Sequence, residues 1–138
     1  MIDLLKGRAQ LEGMFTALAG AMLLAGRTNR EFKEALQGRC GIAEIRTQDR
    51  CVARRFYISH GGLRVARGPH PCPDYAIVYK DASAAVEILK KGSEEAVMQG
   101  IAEGNMQFQG DMEFGMWFNE LLQKIGALLK NPRELLSL

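Results

Sequence analysis

Two cysteines and two histidines are the residues of this chain with the clearest capacity for chemistry. Cys40, His60, His70 and Cys72 together offer the two thiols and two imidazoles that bind zinc tetrahedrally. However, a single residue separates His70 from Cys72, and neither a C-x-x-C nor an H-x-x-x-H spacing occurs. Buried thiols and surface imidazoles explain these residues better than a zinc site. We therefore predict no metal and no cofactor.

The patterns that would indicate catalysis are weaker still. Ser59 and His60 are neighbours at the end of a predicted strand, where successive side chains point to opposite faces and cannot directly form the hydrogen bond of a nucleophile and its base. The chain contains no G-x-S-x-G motif, and no G-K-[ST] follows the Gly61-Gly62 pair. Asp111 and Glu113 are better explained as first-turn carboxylates of a helix. The sequence predicts no catalytic residue and no enzyme.

Composition predicts one globular domain over residues 1–138. A formal net charge of +2 gives no reason to expect nucleic acid as a partner. The basic pairs Arg54-Arg55 and Lys90-Lys91 are interpreted as solvated faces. Three cysteines without close spacing favour reduced thiols and a cytoplasmic location. The apolar run over residues 14–26 is interpreted as too short to span a membrane.

The elements that must position these residues are read from hydrophobic periodicity. The pattern predicts a helix over residues 4–25, a short helix from Asn29 to Gly38, and four strands over residues 42–47, 52–59, 63–67 and 75–80. Short turns between the strands indicate antiparallel pairing. In the second strand Val52, Arg54, Phe56 and Ile58 share one face, and Ala53, Arg55 and Tyr57 share the other.

The C-terminal half predicts three helices and a late strand. A helix begins at Asp81 or Ser83 and ends at Gly92, and Ser93 caps the next, in which Val97, Met98 and Ile101 face inward. A strand over residues 106–109 and a long apolar helix capped by Asp111 follow, with Pro132 near its end. This order of elements predicts an α+β fold, with a mostly antiparallel five-stranded sheet covered on one face by helices.

Four short segments carry a resemblance to a known family. They are FKEALQG at residues 32–38, DYAIVY at 74–79, the paired helices over 82–102, and GNMQFQGD at 104–111. In this order and spacing the chain resembles the sterol carrier protein family from about Phe32 to Leu129. The resemblance implies an apolar cavity that binds a fatty acid, acyl-CoA, sterol or other lipid without chemistry on it. Residues 1–26 form an extra helix compared with the minimal family domain.

The resemblance and the apolar C-terminal helix together predict a ligand-binding site. Flexible methionines suit a pocket for variable acyl chains, and such pockets are mostly apolar. The plain alternative is that these side chains only fill the core. The predicted lining residues are Phe56, Ile77, Met106, Phe108, Met112, Phe114, Trp117, Phe118, Leu121 and Ile125.

Three further possibilities stay open at this point. Transient membrane contact suits a lipid carrier, and the helix over residues 1–26 is a candidate surface for a homodimer. The alternative function is an interaction or scaffold module for a lipid- or quinone-modifying assembly.

Overall fold

The chain begins with a long helix whose inner side belongs to the protein core. A computed structural model describes residues 2–130, with side chains described from Lys6 onward. Helix α1 (Ile2–Thr28) buries Leu11, Phe15 and Met22 almost completely. Helix α2 (Arg30–Leu36) follows, and Asn29 caps it by accepting a hydrogen bond from the Phe32 N–H. The extra helix predicted at residues 1–26 is thus part of the main core.

Helix α1 is longer than predicted, and its length reaches that of a membrane-spanning segment. Within the described residues, Lys6–Thr28 is a 23-residue segment with mean hydropathy 1.2, long and apolar enough to cross a membrane by length and composition. The prediction that this region is too short was wrong. A core helix passes the same test, and the burial of Leu11, Phe15 and Met22 favours a packed helix.

Five strands form one sheet with the order β3-β2-β1-β4-β5. The strands are β1 (Gly41–Thr47), β2 (Ala53–Ser59), β3 (Gly62–Arg67), β4 (Tyr75–Tyr79) and β5 (Met106–Gly110). The β1–β2, β2–β3 and β4–β5 pairs are antiparallel, as predicted. The β1–β4 pair is parallel, so the inference of antiparallel pairing throughout the first four strands was wrong. After edge strand β3 the chain crosses back over the sheet and enters β4, which lies beside β1 and runs in the same direction.

The connection from β3 to β4 crosses the face of the sheet that the helices leave open. The Gly68 N–H donates to the Ala53 carbonyl and the Asp74 N–H to the Ile42 carbonyl. The His70 N–H donates to Glu44 Oε1 at 2.8 Å. Strand alternation places Glu44 opposite the helix-covered side. The crossover therefore buries this carboxylate, which also accepts a hydrogen bond from Arg46 Nε.

Three helices complete the fold on the same face as α1. They are α3 (Ala82–Lys91), α4 (Glu94–Ala102) and α5 (Met112–Lys130). The predicted caps are confirmed: Asp81 accepts from the Ala84 N–H, Ser93 from the Ala96 N–H and Asp111 from the Phe114 N–H. The predicted end of α5 near Pro132 lies outside the described residues.

Helix α4 packs through small residues, contrary to the prediction. Met98 is 71% exposed and Ile101 is 42% exposed, so the prediction that both face inward was wrong. Ala96 and Gly100 are the buried residues of this helix. Gly100 lies against Ile88, and a Cβ built there would meet Ile88 Cδ1 at 2.7 Å. Because Ala96 and Gly100 are small, α4 packs closely against α3 on this side, and Met98 and Ile101 point outward.

Candidate functional site

The cysteines and histidines considered for zinc form two separate pairs, each joined by a hydrogen bond from a backbone N–H to a side chain. The His60 N–H donates to Cys40 Sγ at 3.5 Å, and the Cys72 N–H donates to His70 Nδ1 at 3.0 Å. Over residues 2–130 the structure has no group of three or more His, Cys, Asp or Glu residues that could hold a metal ion. The thiols of Cys40, Cys51 and Cys72 are exposed, so the interpretation that Cys40 and Cys72 are buried was wrong.

The aromatic residues of the predicted lipid site meet around Phe118. This ring is fully buried. Its centroid lies 5.4 Å from that of Phe56, 6.4 Å from that of Tyr75 and 6.5 Å from that of Phe114. These are ordinary packing distances between aromatic side chains. The rings therefore occupy the space between the first half of α5 and the sheet.

The structure brings most of the other predicted residues into the same core. Ile77, Met106, Leu121 and Ile125 are buried in it, and Phe108 and Trp117 pack against it while partly exposed. Met112 is 47% exposed, because its position on α5 is turned away from the face that carries Phe114 and Phe118. Nine of the ten predicted residues thus lie in or against one hydrophobic core, and their role as the lining of a cavity stays a prediction.

Three glycines let α5 and its aromatic residues approach the rest of the protein closely. The Phe114 ring lies on Gly41, the Trp117 indole lies on Gly38, and the Tyr75 ring lies on Gly115; a Cβ added to any of these glycines would overlap its partner. A ligand under this part of α5 would have to separate these contacts.

An open groove lies elsewhere, between α1 and the β2–β3 hairpin. Its volume is about 570 Å³, within the range of about 300–1,000 Å³ that small-molecule sites occupy. Nothing lies within 4 Å of a Cβ built on Gly13 or Gly20, so these glycines widen the groove on the helix side. The lining residues are Glu12, Gly13, Thr16, Ala19, Gly20, Leu23, Arg54, Val65, Ala66 and Arg67.

One end of this groove, here named the arginine end (Glu12, Thr16, Arg54 and Arg67), is charged. The guanidinium of Arg54 donates to Glu12 Oε2 at 2.6 Å and to Thr16 Oγ1 at 3.2 Å. The guanidinium of Arg67 donates to the same carboxylate oxygen at 2.9 Å. The hydrogen bond from Arg54 lowers the pKa of Glu12 against the opposing effect of burial, and the positive charges of both arginines add to this.

The register of the hairpin explains why two arginines meet one carboxylate. Arg54 and Arg67 are directly paired across β2 and β3, where like charges repel. Arg54 is only 4% exposed, because it shares the helix-covered face with Phe56 and Ile58. Glu12 reaches over from α1 and relieves the repulsion. The interpretation of Arg54 as part of a solvated face was wrong, although the alternation in β2 had already assigned it to this face.

A second, smaller opening is lined mainly by polar and charged residues, which do not suit a hydrophobic ligand. Its volume is about 230 Å³ and its lining residues are Arg39, Cys40, Asp74, Asp111 and Phe114. Both carboxylates already have structural roles, since Asp74 Oδ2 accepts the Ile42 N–H at 2.7 Å and Asp111 caps α5.

Comparison with solved structures shows that this sheet and its helices form a sterol carrier protein-type fold. The chain is similar to the crystal structure of sterol carrier protein 2, with a TM-score of 0.54 and 17% identity over 79% of this chain and 90% of that one. It is also similar to a possible sterol carrier protein from Thermus thermophilus, with a TM-score of 0.54 and 18% identity over 88% and 87% of the two chains.

A further similar structure is described as the UbiJ-SCP2 ubiquinone synthesis protein. Its TM-score is 0.56, at 14% identity over 85% of this chain and 96% of that one. No protein-family model matches the sequence, and no curated protein matches it either. At these identities the structural comparisons establish the fold, and the function has to be argued from this chain's own residues.

Proposed function

We propose that this protein is a non-enzymatic carrier that binds a hydrophobic ligand with its apolar chain in the groove between α1 and β3. The observation that carries the proposal is the groove itself, which is open, about 570 Å³ in volume, and apolar along Ala19, Leu23 and Val65. The sterol carrier protein-type fold supports lipid binding as the general role.

The energetics fit a carrier of flexible chains. Burial of an acyl chain contributes about 0.8 kcal/mol per CH₂, so a chain of ordinary length binds without strong polar anchors. The glycine-lined helix wall presents few shape-selective side chains, and discrimination between tails is therefore modest. Release is compatible with the open side of the groove, because the ligand does not have to be enclosed by the protein.

The test is a titration of delipidated protein with a fluorescent fatty acid, comparing Gly20→Leu with Gly126→Leu. Both glycines lie in helices, and nothing lies within 4 Å of a Cβ at either position, but only Gly20 lines the groove. We expect Gly20→Leu to weaken binding at least tenfold and Gly126→Leu to leave it unchanged. Equal binding by the two variants would remove the groove as the site.

The aromatic cluster under α5 is the alternative location for the same function. A ligand there would lie among Phe56, Phe114 and Phe118 after α5 had moved outward. In that case the Gly20→Leu variant would bind the fatty acid normally, and the residues predicted from the sequence would be the ones that contact it.

The alternative function is an interaction module in a lipid- or quinone-modifying assembly. The similar ubiquinone synthesis protein and the exposed side of α1 at Ala17, Leu23 and Leu24 favour it. A long-chain quinone in the same titration tests the ligand side of this alternative.

The three unpaired, exposed cysteines support the cytoplasmic location proposed for either role.

A further inference from the structure

We propose that the groove selects amphiphiles with an anionic head group, and that Arg67 is the residue that binds this group, exchanging Glu12 for the ligand. This inference rests on the proposed function, because it assumes that the tail lies in the α1–β3 groove. It adds the chemical class of the head, a carboxylate or a phosphate, and the orientation of the ligand.

The charged side chains that line the groove do not balance. Among the residues that line the groove, the charged side chains are Glu12, Arg54 and Arg67. The two guanidiniums share one carboxylate oxygen, which leaves an excess of one positive charge. An anionic head group would neutralise that excess, whereas a neutral alcohol or ketone would not. The site is therefore complementary to an anion.

The protein holds the two arginines of the groove very differently. Arg54 has a side chain only 5% exposed and donates to Glu12, to Thr16 and to its neighbour's carbonyl. It is fixed, and Glu12 is the partner that its burial requires. The side chain of Arg67 is 76% exposed. An ion pair at such exposure contributes little stability, so Arg67 can leave Glu12 at small cost.

The groove runs lengthwise along α1. Glu12, Thr16, Gly20 and Leu23 lie on successive turns of one helix face, so the lining changes from charged to apolar along the axis. The distance from Glu12 to Leu23 along the helix is about 16 Å. A head group at Arg67 thus places its tail beside Gly20 and Leu23. The planar guanidinium can bind a carboxylate or phosphate through two parallel hydrogen bonds.

The experiment compares three ligands of equal tail length with the wild-type protein, Arg67→Gln and Arg64→Gln. The ligands are tetradecanoate, tetradecyl phosphate and tetradecanol, each followed by isothermal titration calorimetry below its aggregation concentration. Arg64 is an exposed arginine of the same strand on the opposite face, stacked over Tyr57 at 5.2 Å. It is the matched control. Because Arg67 is exposed, its loss leaves the fold intact, which circular dichroism verifies.

We expect the wild type to bind at least one anionic ligand about tenfold more tightly than the alcohol. Arg67→Gln should abolish that preference while leaving alcohol binding unchanged, and Arg67→Lys should restore part of it. The stronger of the two anions identifies the head group. Equal affinities for anions and alcohol, or an unchanged preference in Arg67→Gln, would overturn the inference and leave the carrier function standing. Binding of none of the three ligands would overturn both.

Discussion

The ring of Tyr75, a residue of strand β4, lies directly on the backbone of helix α5 at Gly115. A Cβ at position 115 would overlap the ring carbons of Tyr75. The hydroxyl of the same tyrosine donates to Asn119 Oδ1 at 3.3 Å, one helical turn further along α5. This contact fixes the distance between the helix and the sheet at the position where sequence patterns predicted a cavity.

Gly115→Ala should therefore destabilise the protein although alanine favours helices. The added methyl group forces α5 or Tyr75 to move, at a cost of about 1–3 kcal/mol. Urea unfolding followed by circular dichroism measures the change. Gly126→Ala is the control, because it adds a methyl group to the same helix in open space and should be neutral or stabilising by up to about 1 kcal/mol. Equal stability of the two variants would contradict the close contact.

Glu12→Gln should lower the free energy of unfolding at neutral pH by about 1–3 kcal/mol, because buried Arg54 loses its counter-charge. The folded protein holds the pKa of Glu12 below its ordinary value of 4.5. The contribution of the ionised carboxylate is therefore present above about pH 4.5 and is lost as pH falls through the lowered pKa. The difference between wild type and variant should shrink as the pH falls through this lowered pKa. Glu34→Gln, in an exposed pair with Arg30, should change stability by less than about 0.5 kcal/mol.

The protein should lose stability in alkali through Tyr75. Burial raises the pKa of this phenol to about 12, against about 10 in an unfolded chain. The stabilisation is complete below about pH 10 and is lost as pH rises towards 12. Tyr75→Phe should reduce the loss by about 1–2 kcal/mol, measured as unfolding free energies at pH 8 and pH 11.5. An identical alkaline loss in the variant would show that the phenol ionises freely.

Emission from Trp117, the single tryptophan of the chain, should distinguish the two ligand locations. The indole packs between Gly38 and the ring of Phe114, 5.5 Å away, and it does not line the α1–β3 groove. A ligand without a chromophore that binds in the groove should leave the emission maximum nearly unchanged while calorimetry reports binding. A clear shift at saturation would instead favour the aromatic cluster.

Removal of α1 should unfold the protein rather than release a smaller domain. Leu11, Phe15 and Met22 are each at most 1% exposed, and loss of several such side chains costs more than the whole stability of an ordinary domain. The predicted homodimer is tested better by Ala17→Glu, on the exposed side of α1. If α1 is a dimer surface, this variant should be monomeric in analytical ultracentrifugation while its circular dichroism is unchanged.

Local chemistry made much of the fold predictable. The caps by Asp81, Ser93 and Asp111 depend on residues only three positions away, and alternation in β2 correctly placed Arg54 on the same face as Phe56. Such signals lie within a single turn or strand, so a single sequence contains them.

The groove was missed because it depends on residues far apart in the chain. Nothing near Arg54 in sequence indicates that Glu12, 42 positions earlier, would neutralise it. The exposure of Met98 was missed for a related reason. Hydrophobic periodicity predicted that the large residues of α4 face inward, whereas the side of α4 that packs against Ile88 carries Gly100.

The parallel pairing of β1 with β4 also affects how the chain folds. The hairpins β1–β2 and β2–β3 join neighbouring segments, but Ala43 pairs with Tyr75 only after the chain has crossed the open face. Contacts between distant segments form slowly because their loop-closure entropy must be overcome first. We therefore expect amides in β4 to gain protection from hydrogen exchange later than those in β2 during refolding. The junction between the central strand β1 and strand β4 would then form after the β1–β2–β3 half of the sheet.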